Sequence, residues 1–532
     1  MLRPPRLTVV IVVDSFGYHY IQKLMPYLNC GLKTLMDKGV VYTNAYWPHG
    51  TPSTGPGHAA LNTGVYGKDS GIIANSWFDK KGHKIECDDD EAQVAAVLAP
   101  DGFYNYGKSP KNIMVSGVSD SLAMQSQPCA KTKVFGISLK SRAAIGMVGK
   151  DRSNQPFWFD DTTGCMTSSK YYCDTLPDWI VKFNKTCHIP DLTKLTWDLL
   201  YPEDSEYYCF DGIKLKGAAR KHLDLINSAN TQVQSKKELL DLFEKTPAAN
   251  QMLFDCAKAC IKENLDCNRD ERMLLWLSLS PLDKLAHIDG PASLKVIDLI
   301  YKLDCQLQKF IRFVDKQVIR SDVVYILTAD HGMGPIPEYI QEQGYPAYRV
   351  DSHTIEKKID DAIVQKLGKA IHAHIKTPHL YFSHEFDLLS YAQQQEALKV
   401  AKSVLLEQKC IKNAWTDREL DRLNVDDGQI ESFFKYQRYP GRSGHILIQT
   451  APFGQLSKYQ GGTTHEGPYE VNTHVPLIIY RHKFFEHKMV NTRVSMLQLA
   501  NTMAQILHIP KAAASTFKLL PGLFPDEQEF VL

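Results

Sequence analysis

Neither sign of charge is in surplus in this 532-residue chain: Lys and Arg number 61, Asp and Glu 60. Binders of nucleic acid or of anionic membranes usually carry a basic excess or a basic block, and neither is present. Any attraction for an anionic substrate must therefore come from a local site. Long apolar runs are missing as well. A membrane span needs roughly 18 such residues, and the longest candidate, Leu7–Val13, is stopped by Asp14. No internal repeat and no long low-complexity stretch breaks the pattern. Residues 1–6 lead straight into a core-like strand, which leaves no room for the charged and apolar regions of a signal peptide. The expectation is either a cytosolic protein or a signal segment lying outside this sequence. The twelve cysteines are even in number. Cys165/Cys173 and Cys187/Cys209 could form local disulfides, or all twelve could be scattered thiols; both readings stay open here. Cys256 and Cys260, followed by Cys267, lack an accompanying histidine cluster and read as structural positions on an amphipathic helix.

Buried strands and amphipathic helices are what the chain does have. Leu7–Val13 is short, apolar and β-branched, then ends at Asp14. The same pattern recurs at 273–279, shortly before Asp283, and at Val323–Thr328, before Asp330 and His331. A fourth apolar run, His474–Tyr480, follows His465. Leu294, Ile297, Ile300, Leu303, Leu307, Phe310 and Ile311 keep helical spacing, as do Leu497, Met503, Ile506 and Leu507. Alternation of this kind predicts an α/β fold with a mostly parallel central sheet flanked by helices. Residues 5–532 are expected to form one domain, with its core in 5–150, 270–345 and 435–532. The stretches 155–270 and 345–435 are expected to be cap insertions. The first is rich in Trp and Tyr and is a candidate pocket wall; the second reads as helical and charged, with little strand signal.

Asp14, Asp283, Asp330 and His331 each lie at or just past the C-terminal end of a predicted strand, the edge where open α/β sheets bind ligands. Asp283 and His287 are four apart and share a face if that segment is helical. Oxygen and imidazole ligands suit zinc, and six of them suit a paired-metal centre. Each residue also has a plain alternative. An Asp after a strand can cap a helix, Asp330-His331-Gly332 can be a turn, and His465 can be an ordinary loop histidine. Their joint placement favours the site. The run Thr51-Pro-Ser-Thr54-Gly-Pro-Gly-His58 sets a hydroxyl before a predicted helix start, whose free N–H groups and dipole favour phosphate. A metal beside that hydroxyl would make it a usable nucleophile. The alternative is a threonine N-cap.

Taken together, Asp14, Thr54 before Gly-Pro-Gly-His58, Asp283-x3-His287, Asp330-His331-Gly332 and the late His465 resemble the alkaline phosphatase superfamily in order and approximate spacing. Within it the chain resembles the bacterial phosphate-irrepressible alkaline phosphatases with a threonine nucleophile. The run from Gly71 through Asn75 to Trp77 looks like their substrate-binding Asn segment, Ser138-Leu-Lys140-Ser-Arg142 like their Lys-x-Arg element, and Arg442-Ser-Gly444 is also similar.

The resemblance implies hydrolysis of small-molecule phosphate monoesters on two Zn2+, through a covalent phosphothreonine at Thr54. It implies one ion on Asp14, Asp330, His331 and Thr54 and the other on Asp283, His287 and His465, with Asn75, Lys140 and Arg142 binding substrate. Lys140 and Arg142, two apart in an extended segment, would point the same way and neutralise the extra charge of a monoester dianion. His58, one turn into the helix, is expected to support the loop. Phosphatases of this type are typically exported, so the resemblance favours the periplasm. The rival enzyme is a phosphodiesterase/nucleotide pyrophosphatase with the same metals, and a catalytically dead binding protein is the rival from another class. A sulfatase does not fit, because the nucleophile position is Thr. Natural substrate and oligomeric state are not legible.

Overall fold

Seven consecutive apolar or β-branched residues, Leu7–Val13 (β1), run through the middle of a large mixed sheet, all of them buried. The computed structural model describes residues 3–99, 102–127, 130–186, 192, 196–215, 222–224 (backbone), 235–266 and 270–524. The sheet is built on β1, β2 (Val40–Tyr46), β3 (Thr132–Ser138), β4 (Gln155–Asp160), β5 (Arg272–Leu279), β6 (Val323–Thr328) and β7 (His474–Tyr480). Its order is Lys488–Val490, β2, β7, β6, β1, β5, β3, β4, Cys165–Thr167. From β6 to β4 the five strands are parallel; β7 runs antiparallel to β6 and β2. Burial on both faces explains why the sequence shows unbroken apolar runs there instead of alternation.

Helices cover both faces. Leu294–Gln317 starts at Ser293, whose hydroxyl accepts the Val296 N–H, and buries the stripe from Leu294 through Ile300 and Leu307 to Val314. Gln498–Leu507 likewise buries Met503, Ile506 and Leu507.

The two presumed insertions differ from expectation. Residues 155–167 add two strands to the edge of the central sheet, and the helix Pro247–Asn264 packs against β5. Several aromatics of the Trp- and Tyr-rich stretch are spent on packing. Trp158, Trp179, Trp197 and Tyr208 are buried in the main core, and the Trp197 indole and Tyr208 hydroxyl both donate to Asp298 on the long helix. The stretch 345–435, expected to have little strand, carries several. Ala373–Lys376, His379–Phe382 and Ile411–Thr416 join Ile446–Thr450 in an antiparallel sheet. Two helices, Ser352–Leu367 and Tyr391–Leu406, pack over it and close a second core. Cys165 and Cys173 form no disulfide, nor do the other seven cysteines of the described residues; Cys129, Cys187 and Cys267 lie outside them. Cys256 and Cys260 are buried on the helix Pro247–Asn264, as an amphipathic stripe requires. No helix of the described residues is long and apolar enough to cross a membrane.

Candidate active site

Four adjacent parallel strands deliver chemistry at their C-terminal ends. Asp14 follows β1, Asp330 and His331 follow β6, Lys140 follows β3, and β5 leads into the helix Pro281–Asp289 that carries Asp283 and His287. This is the edge at which a parallel sheet leaves a crevice. Asp14, Asp330 and His331 are fully buried and Asp283 is 4% exposed. The four-residue spacing sets His287 Nε2 3.3 Å from Asp283 Oδ1. His465 arrives from a distant loop, its Nε2 4.0 Å from the same oxygen and its ring stacked on His331 at 3.8 Å between centroids.

Thr54 opens the helix Thr54–Thr63 and is 1% exposed. It is the first helical residue, and the N-cap is Ser53. Of the first-turn amides, Gly55 N–H is already donated to Asn75 Oδ1 at 2.7 Å. The helix start is therefore not a set of free donors, and Asn75 sits beside Thr54 through that bond. Gly57 permits the close approach of this helix to Asp330, because a Cβ there would meet the Asp330 carbonyl oxygen at 2.7 Å.

Lys140 keeps the expected extended backbone, at φ −108° and ψ 127°, but the extended segment ends there and does not reach Arg142. Ser138 Oγ accepts the Lys140 N–H, and the helix Ser141–Val148 begins with Lys140 as N-cap. Arg142 is thus on the first helical turn, and its buried Nε has no hydrogen-bond partner. The Lys140 ammonium reaches into the centre. It is 2.6 Å from Asp14 Oδ2, 2.6 Å from Asp283 Oδ2, and donates to Thr54 Oγ1 at 3.2 Å.

The electrostatics are those of a cation site. Three buried carboxylates face one ammonium, and uncompensated buried charge is costly. Burial, reinforced by Asp283 and Asp330, pushes Asp14 up to about 6. Burial also acts upward on Asp283, but Lys140 and His287 outweigh it and hold that carboxyl well below its usual range. Burial, with His331 and His287 nearby, keeps His465 well below the usual imidazole range, hence neutral. The donors left over are the right ones. Asp14 Oδ1, Asp330 Oδ2 and His331 Nε2 are buried without hydrogen-bond partners. On His287, His331 and His465 the Nδ1 atoms face backbone carbonyls of Thr463, Gly332 and Pro52 at 2.8, 2.9 and 2.8 Å. That pairing turns each Nε2 inward, as in metal-ligating histidines. Two groups, Asp283 with His287 and His465, and Asp14 with Asp283 and His331, bring ligand atoms within 4.8 Å of one another. The residues present fit divalent cations.

One neighbour carried no signal in the sequence. Ser15, in a left-handed conformation at φ 66°, donates from Oγ to Asp283 Oδ1 at 2.6 Å and from its amide to Asp330 Oδ1 at 3.3 Å. His58 is a support, as expected. Its Nδ1 faces the Thr54 carbonyl at 2.9 Å and Asp330 Oδ2 at 3.3 Å, and its Nε2 meets Ser278 Oγ at 2.9 Å.

A parallel sheet with buried carboxylates, imidazoles and a threonine at one edge defines a metal-dependent phosphoester hydrolase class. Over residues 8–474 the chain matches the type I phosphodiesterase/nucleotide pyrophosphatase family, and it belongs to that family. It is similar to the alkaline phosphatase PhoV of Synechococcus elongatus, at 26% identity over 98% of this chain and 93% of that one. It is also 26% identical to the alkaline phosphatase PafA of Elizabethkingia meningoseptica, covering 95% and 92%. A crystal structure of alkaline phosphatase PafA has the same fold, with a TM-score of 0.83 at 23% identity over 98% of this chain and 99% of that one. Murine ectonucleotide pyrophosphatase/phosphodiesterase 5 shares it more distantly, with a TM-score of 0.52 at 12% identity over 96% of each chain.

Proposed function

We propose that this chain hydrolyses phosphate monoesters through a covalent phosphothreonine at Thr54. The observation that carries the reading is the Lys140 ammonium 3.2 Å from Thr54 Oγ1, amid three buried carboxylates. Full-length likeness to named alkaline phosphatases supports it. Asp14, Asp330, His331 and Thr54 would hold one Zn2+, and Asp283, His287 and His465 the other. When bound, the pair lowers the pKa of the threonine hydroxyl and neutralises charge on the leaving oxygen.

Thr54 Oγ1 attacks phosphorus in line. The Oγ1–P bond forms as the P–O bond to the leaving group breaks; the hydroxyl proton passes to solvent, and the leaving oxygen takes a proton from solvent and departs as the alcohol. Water then displaces Thr54 from phosphorus and regenerates the hydroxyl. Asn75, Lys140 and Arg142 bind the non-bridging oxygens, so most of the rate comes from positioning and charge neutralisation. A cavity of about 600 Å³ opens beside His287, lined by Ile288, Tyr459 and residues 461–464, and offers the leaving group room.

The second reading, a phosphodiesterase, is favoured by the family match itself. The two separate on kcat/KM for an aryl phosphate monoester against the matched methyl aryl diester on zinc-loaded protein. A large monoester preference supports the proposal, and a diester preference overturns it. The same proposal treats residues 5–532 as one alkaline-phosphatase-like domain, with 155–270 and 345–435 as additions to its core. Export to the periplasm is its further part. Activity in the periplasmic fraction supports export; activity confined to the cytosol removes it.

A further inference from the structure

Outside the catalytic cluster, one charged side chain is buried at the junction of the second core and the metal-facing loop. Arg349 lies on the strand Tyr348–Val350, beyond the point where the central core was expected to end, and its side chain is 7% exposed. It forks onto Glu338 on the helix Pro337–Glu342, with Nε 2.6 Å from Oε1 and Nη2 2.9 Å from Oε2. The same guanidinium donates from Nη2 to the Gly462 carbonyl at 2.6 Å and from Nη1 to Gln455 Oε1 at 3.1 Å. Gln455 is its register partner on the parallel strand Gly454–Leu456. Gln455 Nε2 in turn donates to Thr463 Oγ1 at 2.7 Å, and that hydroxyl meets the Gly334 carbonyl at 2.8 Å. Thr463 then clasps His287 through two backbone bonds: its N–H donates to the His287 carbonyl at 2.9 Å, and its own carbonyl accepts from His287 Nδ1 at 2.8 Å.

We propose that Arg349 is a positioning residue for the metal-binding imidazole of His287, acting through Gln455 and Thr463. Only an arginine presents donors in a fixed fork able to serve a carboxylate, a carbonyl and an amide oxygen at once. The chain of bonds fixes the 461–464 backbone, the backbone fixes which His287 nitrogen carries the proton, and Nε2 is left aimed at Asp283. The inference rests on the reading of His287 as a ligand and is independent of which phosphoester is cleaved.

The test is chelator-driven zinc release from the full chain, followed with a chromophoric chelator that resolves the two ions. Thr463→Val removes the hydroxyl at constant shape, and Thr463→Ser restores it. Arg349→Lys keeps the charge and loses the fork. Loss of such an outer partner typically costs about 10–100-fold in metal affinity. Release of one ion is expected to quicken by that factor in Thr463→Val and Arg349→Lys, the other ion keeping its rate, with Thr463→Ser behaving as the unmodified chain. Unchanged release in Thr463→Val overturns the inference. So does equal quickening of both ions with a lowered unfolding midpoint of the metal-free chain, which marks general loosening. An unmodified chain that takes up no zinc overturns the ligand reading too, and shows itself before any variant is made.

Discussion

Thr54 is almost out of reach of bulk water, yet its hydroxyl accepts from an ammonium held by two carboxylates. Removing one oxygen there should leave the fold in place and remove the nucleophile. Thr54→Ala is therefore expected to lower kcat by about 10³-fold or more while the unfolding midpoint stays put; turnover close to the unmodified rate would take Thr54 out of the mechanism. Replacing both Lys140 and Arg142 with Ala should lower monoesterase kcat/KM by about 10²-fold or more relative to diesterase. Equal losses on the two substrates would argue against recognition of a dianion. The ligand candidates were legible because Asp14, Asp330 and His331 each end an unmistakable buried strand. Ser15 was not, since a serine after an aspartate has no periodicity of its own. That the extended segment stops before Arg142 was not legible for a related reason. Where a strand yields to a helix is decided by a local turn, here the Ser138 hydroxyl taking the Lys140 amide, and a two-residue spacing does not report it.

The apolar stripes of Leu294–Gln317 and Gln498–Leu507 were readable, whereas the short strands of the second core were not. Ala373–Lys376 and His379–Phe382 are four residues each, too short for a period to stand out, and the second is buried on both faces. What marks that region as a real core is the row Ile355, Ile359 and Ile363, all fully buried on the helix Ser352–Leu367 and packed with Ala397, Ala401 and Leu405 of the facing helix. Ile359→Ala is accordingly expected to cost about 2–5 kcal/mol in urea denaturation. A cost below about 1 kcal/mol would mean that the two helices are not load-sharing as packed.

For the molecule as a whole, acid should be more damaging than the balanced charge suggests. His379 is fully buried, its Nδ1 accepting only a long 3.4 Å bond from Gly444 N–H and its Nε2 unpartnered. Burial holds it down to about 3, from an ordinary value of 6.5. Below pH 6.5 the unfolded chain takes up a proton that the folded chain refuses, so stability present above that pH declines as pH falls toward 3. At pH 5 the loss from this one group is about 2 kcal/mol. His379→Gln should shrink the difference in urea midpoint between pH 8 and pH 5; an unchanged difference would assign the acid sensitivity elsewhere. The strand order has a consequence of another kind. Every described partner of β2 (Val40–Tyr46) in the central sheet, namely β7, Lys488–Val490 and Val494–Ser495, lies beyond residue 473. During synthesis an apolar strand made near the start must wait, both edges bare, until almost the whole polypeptide has left the ribosome. Nascent chains of this protein are therefore exposed to edge-to-edge aggregation for most of their translation time. Slowing elongation should raise their dependence on chaperones that shield unpaired strands.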